Sequence, residues 1–131
     1  MKQIHVVGAI LVDQGKILCA KRGPGRSLAN LWEFPGGKIE TGESPREALQ
    51  REIQEELQVV VKVAKEAFET TSYSYDFGVV HLTTFLCRLE SGVPQLTEHV
   101  DLKWLAPAEL MTVTWAPADI PAVEKLQEKG V

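Results

Sequence analysis

The sequence predicts a single α+β domain, a mixed β-sheet with helices packed on it. Three observations predict it. The chain has 131 residues, 44% hydrophobic and 24% charged, a size and composition ordinary for one compact globular domain. Its strand-like and helical segments interleave irregularly, neither in strict alternation nor in separate blocks. And one helix start is written out at Ser44, in the middle of the chain, where a Ser-x-x-Glu capping box with Pro45 in first position opens a run of helical periodicity.

The elements follow in order. Residues 4–13 (IHVVGAILVD) and 16–22 (KILCAKR) read as two strands around a Gln14-Gly15 turn. Residues 23–30 (GPGRSLAN) have the composition of a loop, and LWEF that of a short strand ending at Pro35-Gly36-Gly37. The helix from Ser44 comes next. Two long β-rich segments then follow, VVVKVAKEAFETTSYSYDF and VVHLTTFLCRLE, joined near Asp76-Phe77-Gly78. DLKWLA is a further short strand, PAEL a helical turn, and PADIPAVEKLQEK a C-terminal helix opened by prolines. No repeat, low-complexity tract or linker interrupts residues 1–131, so one domain is expected throughout.

Composition narrows the functional classes. A formal net charge of −4 carries no footprint for bulk nucleic acid. The longest apolar run, Val6 to Val12, is too short to span a bilayer, and no signal-like layout precedes it, so the cytoplasm is expected. Cys19 and Cys87 lie in apolar strand-like runs. Two buried thiols are the expectation there, with a bridge as the alternative.

The helix holds the chemistry. At about 100° per residue, Leu49, Ile53 and Leu57 make an apolar stripe. Glu47, Gln50, Arg51 and Gln54 lie on the far side, while Glu52, Glu55 and Glu56 share one shoulder of the stripe. Like charges three or four residues apart repel by a few tenths of a kcal/mol per pair, so the shoulder needs a compensating cation. It reads either as a solvated acidic face, with Arg51 paired to Glu47 and Glu55, or as a set of hard oxygen ligands suited to Mg²⁺ or Mn²⁺. The glycine pair before the helix would let the backbone turn sharply and bring a carbonyl toward such an ion.

The pattern across residues 37–59 is Gly37, five residues, Glu43, seven residues, then Arg51-Glu52-Ile53-Gln54-Glu55-Glu56-Leu57-Gln58-Val59. It resembles the signature box of the Nudix hydrolases, enzymes that cleave nucleoside diphosphates linked to another moiety. The LWEFPGGK approach and the C-terminal WAPADIP resemble the MutT-type branch of that family. The resemblance implies an α/β/α sandwich and metal-assisted substitution at phosphorus, with Mg²⁺ (Mn²⁺ as a substitute) as cofactor. It implies that Glu52, Glu55 and Glu56, with the Gly36 carbonyl, hold the ions. Arg51 orients them through ion pairs, with Glu43 as a partner, and Glu98 helps to bind metal or activate water. One position departs from the family pattern. Gln58 stands where a glycine is usual, and a left-handed helix stop would cost Gln about 1–2 kcal/mol.

The same resemblance extends to the substrate. Arg22 aligns with a phosphate-contacting arginine, whose fork suits phosphate; Lys38 would neutralise phosphate oxygens, and Ser27 approaches the nucleotide. Glu33, Phe34, Pro35 and Asp119 are matched to positions around the base, although Trp32 and Phe34 read equally well as core. Asp119 has a second reading as the cap of the last helix. Where oxidised-dGTP enzymes of this branch have Asn, an ionised Asp119 only accepts hydrogen bonds. It favours an amino-bearing base such as cytosine, or must be protonated to mimic Asn. Tyr73, Tyr75 and Phe77 read as one face of a sheet or a pocket wall, His99 as solvated, and His5 and His81 as core or edge histidines. The expected activity is Mg²⁺-dependent hydrolysis of a nucleoside triphosphate, of an oxidised purine or of cytosine or a modified pyrimidine, to monophosphate and pyrophosphate. The alternatives are other nucleoside diphosphate derivatives (ADP-ribose, dinucleotide polyphosphates) and a non-catalytic nucleotide-binding module. Monomer and homodimer are both left open.

Overall fold

The computed structural model describes residues 1–131. Two strands form its axis. β1 (Gln3–Asp13) and β7 (Gly78–Ser91) run parallel, paired from Gln3↔Val79 to Val12↔Arg88. β2 (Lys16–Lys21) turns back antiparallel on the end of β1 and carries β3 (Trp32–Glu33) and β8 (Asp101–Leu105), both antiparallel to it. β4 (Gly36–Lys38) takes over the same edge of β1 lower down, at Val6, Val7 and Gly8. β1 thus has β2 at one end and β4 at the other, and the fork between them opens a cleft.

Helices cover both faces. α1 (Pro45–Leu57) lies on one face and α2 (Ile120–Lys129) on the other. Alternation along the strands explains this. Val7, Ala9, Leu11 and Leu18 point toward Leu49, Ile53 and Leu57 of α1, whereas Ile10, Ile17 and Cys19 point toward Ala122, Val123 and Leu126 of α2. Leu49, Ile53 and Leu57 are wholly or almost wholly buried, each contributing about 1.5–3 kcal/mol of transfer free energy. The capping box forms as read: Ser44 Oγ accepts from Glu47 N at 3.2 Å, and Glu47 Oε1 accepts from Ser44 N at 2.9 Å. Gln58 closes the helix in the left-handed region, with φ 58°. Both cysteines are free and buried, and burial pushes each thiol up to about 12.

Two readings need correction. The first long β segment is two strands, β5 (Val60–Val63) and β6 (Glu69–Tyr75), both antiparallel to β7. The chain advances from Val63 to Glu69 while β7 moves only from Cys87 to Thr84. Ala64 and Phe68 still bond β7, at the Leu86 and Thr84 carbonyls, and the surplus Lys65-Glu66-Ala67, poor in β-forming side chains, bulges out. Asp119 does not cap α2 with its side chain, because that carboxyl is occupied across the cleft. No helix is long and apolar enough to cross a membrane.

Candidate active site

The fork opens into a cavity of about 750 Å³. It is lined by β4, the shoulder of α1, the ends of β2 and β3, and the loops carrying Glu98 and Asp119. A volume of that order suits a nucleotide-sized ligand.

One end is acidic, and Arg51 holds it together. Its Nε and Nη2 grip both oxygens of Glu43 at 2.7 and 2.9 Å; its Nη1 reaches Glu52 and Glu55, each at 3.2 Å; and Nη2 also donates to the Lys38 carbonyl at 3.1 Å. Glu47, one expected partner, is engaged instead in the helix cap. Bidentate pairing with Arg51 holds the Glu43 carboxyl below its ordinary range, and the same bonds raise the arginine. Glu52 is pulled up, first by burial. Glu56 is 7% exposed, and burial, then the charges of Glu33, Glu52 and Glu98, push it to about 8. Only the Gly36 N–H, donating at 3.1 Å, opposes that. The glycine pair is a requirement of the site. A Cβ on Gly36 would run into the Val7 carbonyl, and one on Gly37 into the Glu52 carboxylate.

Glu98, exposed at the rim, belongs to a loop tied down on both sides. Thr97 Oγ1 donates to the Glu56 carbonyl, and Val100 N donates to the Lys21 carbonyl at 3.0 Å. Glu55 is mostly exposed and lies outside the cavity lining, facing Arg51.

The other end is closed. Asp119 is 6% exposed and accepts from Phe34 N at 3.0 Å. Burial, reinforced by the charge of Glu33, raises its carboxyl well above the ordinary range, more than the Phe34 N–H and Arg22 can offset. Phe34 lines the cavity while its ring packs against Trp115, tilted by 39° with centroids 4.8 Å apart, so it serves core and cavity together. Trp32 is core. Pro35 lies outside the lining; its carbonyl accepts from Ala9 N and fixes the strand.

Arg22 stands on the wall with Nη1 on both oxygens of Glu33, at 3.1 and 3.3 Å, and Nε on the Ser27 carbonyl at 2.8 Å. Lys38, Arg26 and Ser27 are exposed on the lining. Two groups were misread or left open in the sequence. His99 is buried, not solvated, and bonds Glu33 Oε2 at 2.9 Å. Tyr75 and Phe77 line the cavity, and the Tyr75 hydroxyl accepts from Ala118 N at 2.8 Å. Nothing local in the sequence signals either contact, since Glu33 and His99 lie 66 positions apart and Tyr75 and Ala118 43.

The family description NUDIX domain matches residues 1–126. The chain belongs to the Nudix family. Among Nudix proteins it is 41% identical over 124 residues to the CTP pyrophosphohydrolase of Escherichia coli K12, covering 95% of this chain and 91% of that protein. It is 32% identical over 128 residues to the 8-oxo-dGTP diphosphatase of the same organism, covering 97% and 98%. The solution structure of the Nudix protein MutT from methicillin-resistant Staphylococcus aureus 252 superposes with a TM-score of 0.80 at 50% identity, covering 98% of both chains.

Nudix hydrolases use a divalent metal ion, and the residues present fit one. Glu52, Glu55, Glu56 and Glu98 with the Gly36 carbonyl are an all-oxygen donor set, of the kind Mg²⁺ and Mn²⁺ prefer. Burial first, and neighbouring acids after it, raise the carboxyls of Glu52 and Glu56, a cost that a bound cation would offset.

Proposed function

We propose that this chain is a Mg²⁺-dependent, cytoplasmic pyrophosphohydrolase that converts a nucleoside triphosphate, with an oxidised purine or a cytosine-type base, to monophosphate and pyrophosphate. The observation that carries this reading is one cavity with two unlike ends: oxygen ligands at Glu52, Glu56 and Glu98, and a sequestered carboxyl beside an aromatic ring at Asp119 and Phe34. A triphosphate laid along it has its base at the closed end and its phosphates at the acidic end. The relatives named for CTP and 8-oxo-dGTP support the same substrate class.

A bound divalent ion would neutralise charge on the phosphates and acidify water. This chain's residues do the rest. A carboxylate, Glu52, Glu55 or Glu98, takes the proton of a water whose oxygen attacks the β-phosphorus. The bond from that phosphorus to the α–β bridging oxygen breaks, and the monophosphate leaves with the bridging oxygen. Arg51 holds Glu43, Glu52 and Glu55 in register, while Lys38 and Arg22 offset phosphate charge.

Asp119 sets the base. Protonated, it offers a donor and an acceptor together, the pattern of an amide; ionised, it only accepts. Burial raises its carboxyl and so shifts it toward the protonated form. Pyrophosphate release from a panel of normal and oxidised (d)NTPs, ADP-ribose and dinucleotide polyphosphates, with and without Mg²⁺, tests the proposal. Release from triphosphates only with Mg²⁺ is expected; turnover confined to ADP-ribose or dinucleotide polyphosphates, or no turnover, contradicts it.

A further inference from the structure

Glu33, half-buried, and His99, buried, form a pair that the chemistry at phosphorus does not use. Glu33 lines the cavity, and its charge bears on both Glu56 and Asp119. It therefore stands within reach of both ends. A nucleotide with its base at Asp119 and its phosphates at Glu52 and Glu56 must lay its sugar along the wall that Glu33 occupies. A carboxylate repels phosphate but accepts hydrogen bonds from hydroxyl groups.

The carboxylate is clamped from two sides. Arg22 Nη1 contacts Oε1 at 3.1 Å and Oε2 at 3.3 Å, while His99 Nε2 lies 2.9 Å from Oε2. Because Glu33 can only accept, His99 Nε2 carries the proton of that bond. The His99 side chain is almost fully buried, and its backbone is held by the Thr97 and Val100 bonds on either side. Val100 bonds the carbonyl of Lys21, and Lys21 pairs with Trp32, the residue before Glu33. Loop, β2 and β3 form one closed frame. Its alternating side chains send Glu98 to the acidic end and His99 to Glu33.

We infer that His99 is a positioning residue that fixes Glu33 to receive the sugar hydroxyl groups of the nucleotide, an inference that rests on the triphosphate reading above. Arg22 alone leaves the carboxylate free to swing about one contact point; the second donor sets the direction of its open lone pairs. A hydroxyl bonded to a charged, pre-oriented acceptor raises affinity roughly tenfold or more.

The test is binding of non-hydrolysable α,β-methylene nucleoside triphosphates in ribose, 2′-deoxyribose and 2′,3′-dideoxyribose forms, measured calorimetrically with Mg²⁺. Wild type is compared with His99→Leu, which fills the space without a donor, and His99→Gln, whose amide nitrogen can stand where Nε2 stands. Wild type should lose roughly tenfold or more when the hydroxyls are removed. His99→Leu should bring that ratio close to one by weakening the hydroxyl-bearing forms, and His99→Gln should keep it within about threefold of wild type. A loss in His99→Leu that is equal for all three sugars, a wild type indifferent to sugar hydroxyls, or a His99→Gln that behaves like His99→Leu overturns the inference alone. Wild type that binds none of the three overturns the triphosphate reading and the inference with it. If His99→Leu does not fold, the ratio in His99→Gln decides.

Discussion

The two ends of the cavity hold acids by opposite means. At the open end Arg51 threads between Glu43, Glu52 and Glu55 and leaves Glu56 half-compensated. At the closed end Asp119 has one backbone donor and a distant arginine, and burial dominates. The first arrangement ties Glu43, Glu52 and Glu55 to one guanidinium, while Glu56 beside them is raised by burial and the neighbouring acids. The second raises a carboxyl toward its protonated form, in which it both donates and accepts hydrogen bonds. Direct pairing with an arginine, which Glu52 and Glu55 have and Asp119 lacks, separates the two ends.

That contrast can be broken most severely at the open end. Glu56→Gln or Glu55→Gln should lower kcat by about 100-fold or more, with melting temperature little changed. Near-normal turnover at saturating Mg²⁺ would mean the shoulder is only a solvated face. At the closed end, Asp119→Asn should change substrate ranking and leave the chemistry intact. The ratio of kcat/KM for oxidised guanine over cytosine triphosphates should rise roughly tenfold at a pH where Asp119 is ionised, and less where it is protonated. A ranking unchanged at every pH would mean that Asp119 merely ties Phe34 to its loop.

A pH experiment sharpens the contrast without substrate. Glu56 is raised from 4.5 to about 8 in the folded protein. A group raised on folding stabilises fully below its unfolded value, and that contribution is lost as pH rises through the folded one. The metal-free protein should therefore lose melting temperature steadily between pH 4.5 and about 8, with Asp119 adding in the same direction. Glu56→Gln should flatten the slope, and Mg²⁺ added at pH 8 should restore the wild type. The smallest effect is at the helix stop. Gln58→Gly relieves φ 58° and should stabilise by about 1 kcal/mol, raising the melting temperature by roughly 4 °C.

What could be read in advance follows the range of the interaction concerned. Ser44, Glu47, the stripe of Leu49, Ile53 and Leu57 and the left-handed Gln58 are local, and each stands as expected. The free cysteines and the mixed sheet follow from apolar runs and their spacing. The split between β5 and β6 was hidden because β-branched residues on both sides of Lys65-Glu66-Ala67 masked a bulge that only the register with β7 creates. Glu52, Glu56, Phe34 and Asp119 meet in one cavity, but the partners that tune them do not lie near them in the chain. His99 looked solvated because a histidine between Glu98 and Val100 carries no burial signal; Glu33 buries it from another strand. Asp119 looked like a helix cap for the same reason: its acceptor role is directed to Phe34, 85 positions away.

The most direct measurement is a crystal structure with Mg²⁺ and an α,β-methylene nucleoside triphosphate. Glu52 and Glu56 oxygens are expected at about 2.1 Å from an ion that also touches phosphate oxygens, with the base against Phe34 and Asp119. Carboxylates surrounded only by water, with the nucleotide bound elsewhere, would contradict it.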